Sequence, residues 1–236
     1  MIVTSQMTNR FTFVLLLTLS VLQTNVLANQ KEPIYTIRID RDLTAWDIRG
    51  PAFMSRWEAG TAKINPIKPK TLLATAHHNQ EMELVNTAKG GLDIFTREEF
   101  GDCIIELDVM VAEKANSGIY VMGRYEVQVK DSFGKVTNLE DGDMGGIVGT
   151  SPPRINPCAK PGEWQHFVIE FRAPHFENKK RIAPAQFITV TLNEKVIQKN
   201  IKMGKGPTSG TLEKNEVSKG PLMLQPLPTE TFASAP

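Results

Sequence analysis

Asn116-Ser117-Gly118-Ile119-Tyr120-Val121-Met122-Gly123-Arg124-Tyr125-Glu126-Val127-Gln128-Val129-Lys130-Asp131 reads as two strands meeting near Gly123. In the second strand the alternation is strict. Tyr125, Val127 and Val129 point to one side, and Arg124, Glu126, Gln128 and Lys130 to the other. The first side suits a protein interior. The second is either an ordinary solvated face or a rigid row of donors and acceptors of the kind sugar hydroxyls require. Periodicity alone leaves both readings open.

Similar short runs, separated by Gly, Pro, Asn and Asp, fill the rest of the chain and predict an antiparallel β protein. Strands are expected at 34–39, 71–76, 81–85, 92–95, 103–111, 117–122, 125–130, 164–172, 186–192, 195–201 and 221–225. Cys103, Ile105, Leu107 and Val109 share one apolar face. Trp164, His166, Val168 and Glu170 alternate with Gln165, Phe167, Ile169 and Phe171. Leu192-Asn193-Glu194-Lys195-Val196 has the chemistry of a tight hairpin, with Asn193 suited to positive φ. Asp42-Leu43-Thr44-Ala45-Trp46 is long enough for one helical turn. With no crossover helices, the expected fold class is all-β, with two packed antiparallel sheets in a sandwich or jelly roll. The Gly- and Pro-rich segment 131–163 exceeds ordinary loop length and is expected to cover a binding surface or to move. Residues 173–185 read as a smaller charged insertion.

Residues 1–28 read as a signal peptide. Arg10 precedes the apolar run 11–22, and Val26-Leu27-Ala28 offers a cleavage site. Met7 is an alternative start. The apolar run is about 12 residues, short of the roughly 20 a membrane span needs, although a retained N-terminal anchor is the competing reading. No cysteine closely follows Ala28 to carry a lipid. The expectation is an exported, periplasmic or extracellular protein with no membrane span after cleavage. Residues 31–225 are expected to form a single domain.

The whole chain has 27 basic and 26 acidic side chains. That balance gives no electrostatic case for nucleic acid or an anionic membrane. Its two cysteines, Cys103 on a strand and Cys158 in a Pro-rich loop, make no disulfide scaffold or metal pattern. Export would permit a Cys103–Cys158 bond, and a buried free thiol at Cys103 is the other reading. His77 and His78 are adjacent, so on a strand they point to opposite faces and make a poor metal pair.

The succession Gly91, Phe100-Gly101-Asp102, Glu106-Leu107, Asn116-Ser117-Gly118-Ile119, Tyr125-Glu126-Val127-Gln128, Pro152-Pro153, Asn156, Lys160-Pro161-Gly162-Glu163-Trp164 and Leu222-Met223-Leu224-Gln225 resembles the 3-keto-disaccharide hydrolase family. The resemblance spans roughly 34–225. It implies a concanavalin A-like jelly roll and an exported hydrolase that cleaves the glycosidic bond of 3-keto-disaccharides or 3-keto-glycosides. At the end the resemblance fails. The family closes with a strand like His-Gly-x-Val-x-Phe-Arg-Asn, whereas this chain continues Pro226-Leu227-Pro228-Thr229 and onward to Pro236. A shifted frame of the same stretch can encode His-Gly-(Asn or Asp)-Val-Arg-Phe-Arg. Residues 226–236 are therefore expected to be an atypical tail, with a frameshift having replaced the last strand and put activity in doubt.

A ketone at carbon 3 acidifies the hydrogen on carbon 2, so a modest base can start elimination of the group on carbon 1, and water then adds to the enone. Such a site needs a base near carbon 2 and a donor or cation at the carbonyl oxygen, unlike the opposed carboxylates of ordinary glycosidases. The resemblance implies Glu126 as the base. The bland alternative is a sheet-face carboxylate that only hydrogen-bonds sugar or pairs with Arg124 or Lys130. Arg124 and Lys130 are candidates to polarise the ketone, and His166 is a further acid–base candidate; the competing reading of each is a structural or solvated group. Gln128 suits hydroxyl recognition. Asn116 either touches substrate or shapes a turn, and Asp131 either binds substrate or a cation or caps the following turn. Trp164 either stacks on a sugar ring or packs beneath the Pro-rich loop. No cofactor is expected. Calcium enters only by analogy, at Asp141-Gly142-Asp143, without the spacing of a helix–loop–helix site. The expected partner is a carbohydrate substrate. The competing functions are a non-catalytic carbohydrate-binding module and a structural domain of the cell envelope.

Overall fold

Residues 2–8, 34–75, 82–88 and 90–227 are described by a computed structural model. The alternating runs form strands β1 (Ile2–Thr8), β2 (Ile34–Tyr35), β3 (Trp46–Ile48), β4 (Trp57–Ile64), β5 (Leu72–Thr75), β6 (Glu83–Asn86), β7 (Ile94–Phe100) and β8 (Cys103–Met110). They continue as β9 (Asn116–Val121), β10 (Tyr125–Lys130), β11 (Trp164–Arg172), β12 (His175–Glu177), β13 (Lys180–Ala183), β14 (Gln186–Leu192), β15 (Lys195–Lys202) and β16 (Gly220–Leu224). A single 3-10 turn spans Ala52–Met54, and no α-helix occurs among the described residues. No helix among them is long and apolar enough to cross a membrane.

All strand pairs are antiparallel. One nine-stranded sheet runs β15-β14-β11-β8-β1-β6-β4-β5, with β2 attached to β1. A five-stranded sheet runs β10-β9-β16-β7-β3, and β12–β13 is a separate ribbon. The two large sheets stack into the expected concanavalin A-like sandwich. Ile105, Leu107, Phe167, Ile169 and Phe171 from one sheet and Ile119, Tyr125, Val127 and Leu224 from the other belong to a single buried cluster. The Tyr125 and Phe171 rings bridge the sheets with centroids 5.5 Å apart.

The expected strands at 125–130, 164–172 and 186–192 have the bounds observed. Four elements were not anticipated. Trp46–Ile48 and Trp57–Ile64 are strands, and the charged insertion carries the β12–β13 ribbon. The fourth is β1, in the stretch read as a signal peptide. Thr4–Thr8 pairs with β8 and Ile2–Val3 with β6, so cleavage after Ala28 would remove an internal strand of the larger sheet.

One further expectation is corrected. The stretch at Asp42 forms hydrogen-bonded turns rather than a helical turn: Leu43 N–H donates to Asp40 O and Trp46 N–H to Leu43 O. Cys103 and Cys158 are both buried free thiols, so no disulfide links them. The 131–163 loop joins the edge of the smaller sheet. Gly145 N–H donates to Gln128 O and Gln128 N–H to Gly146 O, which extends the edge of β10. Past β16, residues 226–227 are held in place. Leu227 is buried in the core cluster, its N–H donates to Asn86 Oδ1, and its carbonyl accepts Gly90 N–H. The rest of the atypical tail, 228–236, and His77 and His78 lie outside the described residues.

Candidate functional site

Both faces of β10 are covered. Tyr125, Val127 and Val129 enter the sandwich, while Glu126 and Gln128 project from the opposite side of the five-stranded sheet and are only 4% and 7% exposed. The cover over Glu126 is the β15–β16 connection, residues 203–219. Thr208 N–H donates to Arg124 O and its hydroxyl accepts from Glu126 N–H at 3.2 Å, while Leu212 N–H donates to Gly123 O. This segment acts as a strap across the β9–β10 hairpin.

Beneath the strap lies a polar cluster. Glu126 is paired in register with Tyr120 on β9, and the two side chains share a face. Burial pushes the Glu126 carboxyl up to about 7. A hydrogen bond from Tyr120 partly opposes that rise, and the nearby Asp93 carboxylate adds to it. The Tyr120 hydroxyl donates to Ser209 O on the strap at 3.1 Å, and burial together with Glu126 drives its own acidity down. Asp93 is raised by burial and pulled back by Arg49. Arg49 donates to Asp93 Oδ2, Gly210 O and Thr211 O, each at 3.1 Å, so it ties the strap to the residue that leads into β7. Space for the Glu126 carboxyl is made by Gly118. A Cβ there would run into Oε1 and lie 3.0 Å from Cγ and Cδ.

Arg124 is buried, with its guanidinium donating to Asn215 O at 2.6 Å, Met122 O at 2.9 Å and Asn215 Oδ1 at 3.4 Å. It clamps the strap to the hairpin. Gln128 Nε2 donates to Asn116 Oδ1 at 2.7 Å and Ser117 O at 2.6 Å, which joins those two predicted residues beside Glu126. Lys130 lies farther along the strand, 3.8 Å from Asp143. Asp131 accepts the N–H groups of Lys114 and Phe133, the turn-capping alternative. Asp143 is engaged by Lys135 at 2.6 Å, and Asp141 by Gly149 N–H at 2.6 Å. Among the described residues no group of three or more His, Cys, Asp or Glu is placed to hold a metal.

The structure does not bring His166 and Trp164 together with Glu126. Both lie on β11 of the other sheet, across the sandwich. His166 Nδ1 is 2.8 Å from Asp108 Oδ1 and its Nε2 is 3.5 Å from Glu106 Oε1. Trp164 is 41% exposed rather than packed away.

Tyr120, Asp93 and Arg49 were missed. The alternation that selected Glu126 also places Tyr120 on its face once β9 and β10 are paired, so that signal was present. Arg49 and Asp93 meet only because β3 pairs with β7, and their local sequence carries no such hint.

Residues 39–231 match the family described as the 3-keto-alpha-glucoside-1,2-lyase-like domain. No curated protein matches this chain. Among solved structures, the chain is similar to three proteins from Parabacteroides distasonis ATCC 8503, each described as a "putative glycosyl hydrolase". One is 28% identical over 59% of this chain and 65% of the other, with TM-score 0.48. A second is 20% identical over 72% and 91%, with TM-score 0.43. The third is 14% identical over 79% and 84%, with TM-score 0.49. The chain thus spans a little under two thirds of the length of the first. With the family match reaching from strands of both sheets to the end of the described residues, this chain belongs to the 3-keto-alpha-glucoside-1,2-lyase-like family.

Proposed function

We propose that the protein is an exported enzyme that cleaves 3-keto-glycosides by elimination followed by hydration, with Glu126 as the base. The observation that carries this reading is the Glu126 carboxyl itself. It is buried, held near 7, and set beside the Tyr120 hydroxyl and the Asp93–Arg49 pair. A base poised near neutrality suits removal of a proton made acidic by an adjacent ketone.

In this reading the carboxylate takes the hydrogen from carbon 2, and the C–H electron pair becomes an enolate delocalised onto the carbonyl oxygen. Collapse of the enolate breaks the bond from carbon 1 to the leaving oxygen, which takes a proton from water. Addition of water at carbon 1 of the enone and return of a proton to carbon 2 complete a net hydrolysis. Arg49, paired with the Asp93 carboxylate next to Glu126, takes the part of the cation facing the enolate oxygen once its bonds to Gly210 O and Thr211 O on the strap are given up. Gln128 and Asn116 serve hydroxyl recognition. Substrate reaches Glu126 when the 203–219 strap lifts from the β9–β10 hairpin.

The test is incubation of the full chain with a 3-keto-α-glucoside. Free sugar should appear, and Glu126→Gln should abolish it. Unchanged turnover in that variant removes Glu126 as the base. The alternative reading, a carbohydrate-binding module without catalysis, draws on the closed state of the Glu126 face, and sugar binding without turnover in the wild-type chain would establish it.

A further inference from the structure

We propose that the outer face of the nine-stranded sheet is a second, independent carbohydrate-binding surface, built from Trp164, His166, Asp108 and Glu106. It does not rest on the role of Glu126, which lies on the other sheet.

Three observations converge there. Trp164 is the exposed tryptophan. Of the three in the chain, Trp46 and Trp57 are only 3% and 5% exposed, whereas Trp164 is 41% exposed. On the same face, two residues along β11 and so roughly 7 Å away, His166 stands directly across from Asp108 in the ladder. Its ring is fixed by Asp108 at 2.8 Å and flanked by Glu106 at 3.5 Å, and all three side chains remain 40–45% exposed. The row continues onto β14, where Thr189 Oγ1 donates to Glu170 Oε2 at 3.0 Å.

The rigidity of this row comes from its position. β11 is hydrogen-bonded on both sides, to β8 and β14, and His166 N–H is further held by Asn193 Oδ1 at 2.9 Å. A pyranose ring presents an apolar C–H face and a rim of hydroxyls. The first stacks on an indole, and the second needs fixed acceptors such as carboxylates oriented by an imidazole between them. Preorganised groups of this kind lose little entropy on binding.

Other occupants fit less well. A protein-docking face wants a contiguous apolar patch, whereas here one large aromatic borders a polar row. The half-exposed carboxylates and imidazole lack the dry surroundings that make electrostatic catalysis strong, so this face holds a sugar rather than transforms one.

The experiment uses the full chain and three probes: cellohexaose, maltohexaose and laminarihexaose. Because the other tryptophans are buried, acrylamide quenching reports on Trp164. At least one probe should protect the fluorescence at millimolar concentration. Isothermal titration calorimetry should then show binding lost in Trp164→Ala and weakened about tenfold in His166→Ala, with binding intact in Glu126→Gln. Trp164 is at the surface, so its variant should melt close to the wild type, and Trp164→Phe, which keeps an aromatic face, should retain part of the affinity. Absence of protection by all three probes would overturn the proposal, as would calorimetric binding that survives Trp164→Ala. So would His166→Ala that stops turnover of a 3-keto-α-glucoside with glycan binding unchanged, because the chemistry would then belong to this face.

Discussion

Gly118 and Glu126 occupy the same face of adjacent strands, and the carboxyl of one fills the volume a side chain on the other would need. Alanine at 118 therefore cannot leave Glu126 where it is. The Gly118→Ala variant should lose at least tenfold in kcat toward a 3-keto-α-glucoside and destabilise the fold by about 1–3 kcal/mol through overpacking. Steady-state kinetics and urea unfolding check both effects.

Glu126 also makes stability depend on pH. Its folded value of about 7 lies above its ordinary 4.5, so between those values the folded chain holds a proton that the unfolded chain releases. Stability from this group is full below about 4.5 and is lost as pH rises through 7. The loss is about 3 kcal/mol at roughly 1.36 kcal/mol per unit. Glu126→Gln removes it, so unfolding curves at pH 4 and pH 8 should show the variant gaining on the wild type by about that amount as pH rises. Parallel curves would refute the buried, near-neutral carboxyl.

Asp93 adds negative charge beside Glu126 and raises its proton affinity. Asp93→Asn takes that charge away. Because Glu126 works as a carboxylate in the proposed reaction, the acid limb of kcat/KM should move to lower pH in the variant. An unmoved limb would mean that the titrating group is not Glu126.

Leu227 packs in the core beyond the last strand, with its N–H bound to Asn86. Leu227→Ala should cost about 2–4 kcal/mol in urea unfolding. A surface-like cost near zero would return 226–227 to a loose tail.

Cys103 is buried and its thiol is pushed up to about 12 by burial and the Asp102 carboxylate, and burial likewise raises Cys158. Thiolate is the reactive form. Ellman's reagent at pH 8 should find neither thiol in the native protein, and both after unfolding without reductant. Absence of signal from the unfolded chain would indicate a disulfide.

The fold was legible because burial on one side of a strand imposes a period of two. Cys103–Met110, Tyr125–Lys130 and Trp164–Arg172 each carry that signature, and each presents the face it announced. Asn193 at φ 49° and Glu194 at φ 65° make the hairpin that the residues there predict. Trp57–Ile64 escaped because its Gly and Ala interrupt the alternation. Its place in the sheet comes from pairing with β5 and β6.

The site was legible only in part. Local alternation placed Glu126 and Gln128 on one face, and pairing of β9 with β10 brings Tyr120 beside Glu126. Nothing in the order of residues tells which of two sheets a strand joins, so His166 and Trp164 looked like neighbours of Glu126 and are not. Long-range pairing sets that distance, as it sets the meeting of Arg49 with Asp93 and the strap that seals Glu126 from water. By itself the sequence determined the β class, the faces of the best-patterned strands and the carboxylate to suspect. The tertiary structure alone decided what shares its surroundings, because burial and proximity depend on partners far away in the chain.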